Sequence, residues 1–219
     1  MSLMNVKIGI IGCGGIANGK HLPSLEKISE ATMVAFCDID IAKAESAAET
    51  YGINNAAIYE DYKQLLEDKS IEVIHVCTPN NTHKDITVAA LNAGKHVMCE
   101  KPMAKTSDEA REMIDAAEQN NKKLTIGYQN RFRADSQHLR KVTQRGDLGD
   151  IYYSKAQAIR RRAVPTWGVF LDEEKQGGGP LIDIGTHALD LTLWMMDNYE
   201  PESVMGSTFH KLGKQDNAA

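Results

Sequence analysis

A glycine-rich turn constrains this chain more than any other feature. Gly12-Cys13-Gly14-Gly15-Ile16-Ala17 lies between a β-branched run, Val6–Ile11, and a stretch that reads as a helix, Ile16–Ile28, interrupted by Pro23. Gly12 permits a tight reversal from strand to helix. Gly14 lets another group approach the backbone without meeting a Cβ, and Ala17 is small enough for a helix to pack closely on its strand. Turns of this kind also occur for purely structural reasons, so the flanking pattern has to decide what this one does.

That pattern is a regular alternation. Thr32–Asp38 reads as a second strand and Ile41–Tyr51 as a helix rich in Ala, Glu and Lys. Ala57–Tyr59 is a weak third strand, followed by a short helix at Asp61–Asp68. Glu72–Cys77 is a strand, Thr82–Ala93 a helix stopped by Gly94, and His96–Glu100 a fifth strand. Ser107–Asn120 is a helix with Ser107 as its expected N-cap, and Leu124–Tyr128 is a sixth strand. Strands that alternate with helices must pair in parallel, because each crossover returns over a sheet face. Continuous apolar strands fit a sheet covered on both sides. The fold class expected is therefore α/β: an N-terminal doubly wound parallel sheet of the Rossmann type over residues 4–128.

The character changes after Tyr128. Ala134–Gln144 reads as a polar helix, and Ile151–Ile159 alternates like a strand with one wet face. Gln176–Pro180 is a glycine-rich turn, Leu181–Met196 an apolar helix, and Ser203–Phe209 another strand. Residues 129–219 are expected to form part of an α+β domain, since two strands cannot make a stable sheet by themselves. The polar ending, Gly213 to Ala219, supplies no closing element, so the C-terminal part is expected to be missing. Met1-Ser2-Leu3 before Met4 reads as an expression scar.

Composition narrows the classes of function. The chain has 219 residues, 42% hydrophobic and 25% charged, which is ordinary for a globular protein. Its net charge of −5 offers no broad positive field for phosphates, so no nucleic-acid partner is expected. No apolar run is long enough to span a bilayer, so no membrane partner is expected either. The one basic cluster, Arg160-Arg161-Arg162, reads as a solvated strand end or as an anion contact near a substrate. Cys13, Cys37, Cys77 and Cys99 show no C-x-x-C spacing. Buried free thiols in a reducing cytoplasm account for them more simply than a zinc site.

In this setting Gly12-x-Gly14-x-x-Ala17 stands where a dinucleotide fingerprint must stand, and the helix that follows offers N–H groups to a pyrophosphate. Asp38 ends the second strand, where an acid can bind the adenosine ribose hydroxyls or merely cap the helix near Ile41. Its carboxylate would repel a 2′-phosphate, and no arginine follows it, which favours NAD over NADP. Thr78 and Pro79 follow the fourth strand and could line the ribose and nicotinamide side, while Asn81 or Thr82 reads as the next N-cap.

Three residues carry the expected chemistry. Lys101, within Glu100-Lys101-Pro102, follows the fifth strand at the same edge, with Pro102 holding it extended. It is either a substrate-hydroxyl ligand or a solvated lysine before a turn. Asp183 and His187 are four apart and share a face if helical. Asp183 could set the tautomer of His187, which could then take a hydroxyl proton as a general base. Asp183 could equally be an N-cap and His187 a structural histidine, and Asp190 is an alternative partner for the ring. Leu181, Ile184, Leu191 and Trp194 read as core. His21, His75, His96, His138 and His210 are given no role. A metal bound by Asp183, His187 and Asp190 has no supporting pattern, so none is expected.

Taken together, these motifs resemble the Gfo/Idh/MocA oxidoreductase family. The resemblance runs from Gly12-Cys13-Gly14-Gly15-Ile16-Ala17 through Cys77-Thr78-Pro79-Asn80-Asn81-Thr82-His83 and Glu100-Lys101-Pro102 to Gly177-Gly178-Gly179-Pro180-Leu181-Ile182-Asp183-Ile184-Gly185-Thr186-His187. It implies an NAD(P)-dependent dehydrogenase of CH–OH groups in a sugar, inositol or related polyol. Lys101 would bind the hydroxyl, Asp183 would orient, and His187 would transfer the proton. It implies cofactor contacts from Gly12, Cys13, Gly14, Gly15, Ile16, Asp38, Thr78, Pro79, Glu100 and Lys101. By analogy, Tyr128, Asn130, Arg131 and Trp167 fall towards the substrate. A homo-oligomer, dimer or tetramer, is implied for the full-length protein. Family members usually exceed this length, so about a third is expected to be absent. The other readings are an NAD-dependent glycosidase, which would regenerate its cofactor, and a non-catalytic dinucleotide-binding fragment.

Overall fold

The structure is a computed structural model, and it describes residues 5–161, 164–209 and 211. The chain divides into two compact units, Met1–Gly127 and Tyr128–Ala219.

The first unit is a six-stranded, wholly parallel sheet. Its strands are β1 (Val6–Ile11), β2 (Ala31–Cys37), β3 (Ala57–Tyr59), β4 (Val73–Val76), β5 (His96–Cys99) and β6 (Leu124–Ile126), in the order β3-β2-β1-β4-β5-β6. That is the doubly wound order, with its reversal between β1 and β4. β1 pairs on one side with β2, Ile10 opposite Phe36, and on the other with β4, Ile10 opposite His75. Both faces of β1 are covered, and Ile8, Ile10 and Ile11 are buried. One core holds Ile10, Leu22, Phe36 and Ala44. The other holds Leu65, Ile74, Leu91, Val97 and Met113.

The helices of this unit are α1 (Leu22–Leu25), α2 (Ile41–Tyr51), α3 (Tyr62–Glu67), α4 (His83–Asn92) and α5 (Ser107–Gln119). The helix expected over Ile16–Ile28 stops at Leu25 and opens with a wide π turn, Ala17–His21, closed by the Leu22 N–H on the Ala17 carbonyl. Pro23 sits in the first turn of α1, where its missing N–H costs little. The cap of α5 is Thr106, one residue before the expected Ser107. Its hydroxyl accepts from the Glu109 N–H at 3.2 Å, while Glu109 reaches back to the Lys105 N–H at 3.0 Å. Thr82 does not cap α4 with its side chain. Its hydroxyl turns back to Thr78 Oγ1 and to the Pro79 carbonyl, both at 2.8 Å. The buried ammonium of Lys95 donates to the carbonyls of Asp68 and Ile71, at 2.6 and 2.9 Å, and so secures the loop that enters β4.

The second unit contains α6 (Ala134–Gln144), α7 (Glu173–Gln176), a π turn at Leu181–Gly185 and α8 (Thr186–Met196). The strands expected at Ile151–Ile159 and Ser203–Phe209 are not formed. A strand exists only where a ladder satisfies its N–H and C=O groups, and neither segment has one among the described residues. Tyr152, Ile159, Val204, Met205 and Phe209 are exposed there. Arg160 and Arg161 are also exposed, while Arg162, the start Met1-Ser2-Leu3 and the ending Gly213 to Ala219 lie outside the described residues. No helix among the described residues is long and apolar enough to cross a membrane.

Leu91 is fully buried in the core between α4 and the sheet. Leu91→Ala should destabilise the first unit by about 2–5 kcal/mol in urea unfolding, with little change in slope.

Candidate functional site

The carboxyl ends of the parallel strands gather most of the candidate residues of the first unit on one edge. Gly12 leaves β1 with φ of +91°, and a Cβ there would lie 2.7 Å from the Cys77 backbone. Only glycine is tolerated at that crossing of β1 and β4. A Cβ on Gly14 or Gly15 would meet nothing within 4 Å, so the space above the turn is open. The helix that begins at Gly15 presents the N–H groups that no earlier turn can satisfy. Asn18 steadies the turn, its amide donating to the Cys13 and Gly14 carbonyls at 2.7 and 3.1 Å. This cradle fits a dinucleotide pyrophosphate.

Asp38 does not cap α2. Its Oδ2 accepts from the Cys13 N–H at 2.8 Å and its Oδ1 from the Asp40 N–H at 2.9 Å. It therefore locks the glycine turn to the end of β2 while staying half-buried at the edge, where ribose hydroxyls would reach it. Cys13 has spent its N–H on Asp38, and its thiol is buried against the Cys37 carbonyl. All four cysteines are free and buried. Burial first, then the Asp38 charge, pushes the Cys13 thiol up to about 12. Burial also carries Cys99 up to about 12, so both stay protonated at neutral pH.

Two histidines that offered no sequence signal organise the β5 end. His21, in the π turn, bonds Glu100 Oε1 through Nε2 at 2.8 Å, and its Nδ1 faces His75 Nδ1 at 3.1 Å. Glu100 Oε2 accepts from the Lys101 N–H at 3.0 Å. Burial alone would raise the Glu100 carboxyl, but the His21 bond and the neighbouring charges of His21 and Lys101 hold it below its ordinary value. His75 is pulled down to about 4, by burial first and then by His21. A third ring, His83, is fully buried. Its Nδ1 lies 2.7 Å from the Pro102 carbonyl and its Nε2 2.9 Å from the Thr78 carbonyl. It ties the Thr78 loop to the turn that carries Lys101. The Lys101–Pro102 peptide is cis. No sequence spacing links His21 or His75 to Glu100, because the contact crosses three separate chain segments.

The second unit holds the other candidates. His187 is buried in the first turn of α8, its ring edge-on to Tyr128 with centroids 6.4 Å apart. The Tyr128 hydroxyl bonds Thr186 Oγ1 at 3.0 Å. Asp183 lies within the π turn that precedes α8, so the simple α-helical spacing to His187 does not hold. Asp190, the alternative partner for the ring, is engaged by Arg131. Its carboxylate takes the Arg131 guanidinium through Nη2 and through Nε, the latter 2.9 Å from Oδ2. Arg131 also stands over the Tyr128 and Trp194 rings, at 6.0 and 5.8 Å from their centroids. Trp194 receives Arg140 at 5.4 Å. Arg131 thus packs α8 against the turn after Tyr128. Asn130 and His187 line an open groove of about 740 Å³ along α8, with Ile151 and Leu191. Trp167 is exposed and edge-on to Phe170.

The doubly wound order and the open glycine cradle define a dinucleotide-binding domain. The comparisons make that specific. The pattern of the Gfo/Idh/MocA oxidoreductases, an NAD-binding Rossmann fold, matches residues 6–128, and the C-terminal domain pattern of the same family matches residues 136–219. The chain belongs to this family. It is 41% identical over 215 residues to D-glucoside 3-dehydrogenase of Escherichia coli, covering 98% of this chain and 61% of that protein. It is 32% identical over 196 residues to inositol 2-dehydrogenase of Salmonella paratyphi B, covering 89% of this chain and 55% of that protein. Among solved structures it is similar to levoglucosan dehydrogenase in complex with NADH and levoglucosan, with TM-score 0.74 and 26% identity over 87% of this chain and 54% of that one. It is also similar to the 3-ketoreductase KijD10 of Actinomadura kijaniata with NADP, with TM-score 0.74 and 25% identity over 83% of this chain and 55% of that one. The chain thus spans little more than half the length of these relatives.

The His75 shift has a consequence for stability. Its folded pKa of about 4 lies below the unfolded value near 6.5, so the unfolded state binds the proton first. The stability it contributes is complete above about pH 6.5 and is lost as pH falls towards 4. His75→Asn should make the pH dependence of urea unfolding shallower across that window.

Proposed function

We propose that this protein is an NAD-dependent dehydrogenase of a hydroxyl carbon in a sugar, inositol or related polyol. One observation carries the reading: the open cradle over Gly14 and Gly15, with Asp38 anchored at the β2 edge beside it. The relatives named for glucoside and inositol dehydrogenation support the substrate class. A bound nicotinamide would supply the hydride acceptor. Gly12, Gly14, Gly15 and Ile16 would hold the pyrophosphate, Asp38 the adenosine ribose, and Thr78 and Pro79 the ribose and nicotinamide side.

The remaining roles belong to this chain's own groups. Lys101 would hydrogen-bond the substrate hydroxyl and favour its ionised form. His187 would accept the hydroxyl proton, and Asp183 would orient the ring. Tyr128, Asn130 and Trp167 would face the sugar, while Arg131, through Asp190, would keep the start of α8 in place. We read the protein as a cytoplasmic homo-oligomer, consistent with its free buried thiols.

Lys101→Ala should lower turnover by about 10³-fold or more, as expected for loss of a positioned polar group acting on the reacting oxygen. It should leave NADH affinity within about threefold, read by nicotinamide fluorescence. Unchanged turnover would remove Lys101 from the reaction. The same fluorescence titration should show NADH binding at least tenfold tighter than NADPH, because Asp38 repels a 2′-phosphate. Asp38→Ala should narrow that gap, and equal affinities in the parent protein would overturn the preference.

A further inference from the structure

Glu100 has both carboxylate oxygens engaged inside the fold, Oε1 by His21 and Oε2 by the Lys101 N–H. Its side chain is only 13% exposed. It also fills the space beside Gly127, where a Cβ would come within 3.2 Å of its Oε1. The ends of β5 and β6 and the π turn after the glycine cradle therefore converge on this group, with His75 of β4 behind His21.

The bonding order follows from donor and acceptor chemistry. An ionised carboxylate only accepts, so His21 must present N–H at Nε2. In its neutral form His21 then has a lone pair at Nδ1. His75 Nδ1, 3.1 Å away, must be the donor. The result is a directed chain: His75 Nδ1–H to His21 Nδ1, His21 Nε2–H to Glu100, and Glu100 accepting the backbone N–H of Lys101. The low pKa of His75 agrees with a neutral ring in that position. The titratable groups acting on or around Glu100 are His21 from the π turn, His75 and Cys77 from β4 and its end, His83 from α4, and Cys99 and Lys101 from β5 and its end.

We infer that His21 is a positioning residue for Lys101, acting through Glu100, and that His75 sets the tautomer that lets it do so. Glu100, in this arrangement, is a support of the lysine turn rather than a ligand of the nucleotide. The inference rests on Lys101 acting in the reaction proposed above.

The test pairs His21→Leu with His21→Gln. Leucine removes the donor to a buried carboxylate, so the Glu100 pKa rises, and the acid limb of the kcat profile should move up by about one pH unit. kcat at neutral pH should fall about tenfold or more. Glutamine can again donate to Oε1 and should return the limb to its place with most of kcat. A limb that does not move in the leucine variant, or that glutamine does not restore, overturns the inference. The second measurement needs neither a variant nor turnover. ¹H–¹⁵N NMR of the imidazoles in the parent protein at pH 7.5 should show His75 protonated at Nδ1 and His21 at Nε2. The opposite tautomer at either ring overturns the chain. Turnover that survives Lys101→Ala would instead remove Lys101 from the reaction, and the positioning role with it, and would leave the NMR result standing.

Discussion

Everything in the first unit depends on β1 being hydrogen-bonded in parallel on both sides. With β2 on one flank and β4 on the other, its side chains must be apolar on both faces, and its two neighbours must diverge beyond its carboxyl end. The glycine turn occupies the gap that this divergence opens. Gly12 is forced by the Cys77 backbone next to it, and the space over Gly14 and Gly15 is what remains when β4 and its loop turn the other way. The same edge receives Asp38, Thr78, Glu100 and Lys101, because each stands at or just after the end of a parallel strand. A binding cradle and a lysine are thus brought to one side of the sheet by pairing direction alone.

The polar groups of that edge are shared between architecture and chemistry. Asp38 is held by two backbone N–H groups, and the first of them belongs to the glycine turn it is meant to serve. His83 stands between the Thr78 and Pro102 carbonyls, so moving the loops of β4 and β5 apart would cost the bond that its ring N–H makes there. In the second unit Arg131 plays the comparable part, engaging Asp190 and two aromatic faces and so fixing α8 against the turn that carries Asn130.

The strand and helix order of the first unit was legible because each element is a local run, and the parallel sheet follows from alternation. The misses have local causes. Thr106 and Ser107 are both good caps, and only the reach of Glu109 back to Lys105 separates them. Pro23 reads as an interruption, whereas the π turn places it where its missing N–H is harmless. The alternation at Ile151–Ile159 and the run at Ser203–Phe209 read as strands, and neither forms one. A strand, however, is a property of two segments, and these have no ladder partner among the described residues.

The sequence by itself determined the family and the doubly wound parallel sheet, and it put Gly12, Gly14, Asp38 and Lys101 at strand ends, since each is tied to a motif of contiguous residues. Tertiary structure alone decided that His21 and His75 stand behind Glu100, that His83 bridges two loops, and that Asp190 pairs with Arg131. Apart from the His83–Thr78 arm, which spans 5 positions, those pairings span between 19 and 79 positions of chain. No periodicity encodes contacts of that range, because they arise only when separate strands end at one edge or separate helices share one face.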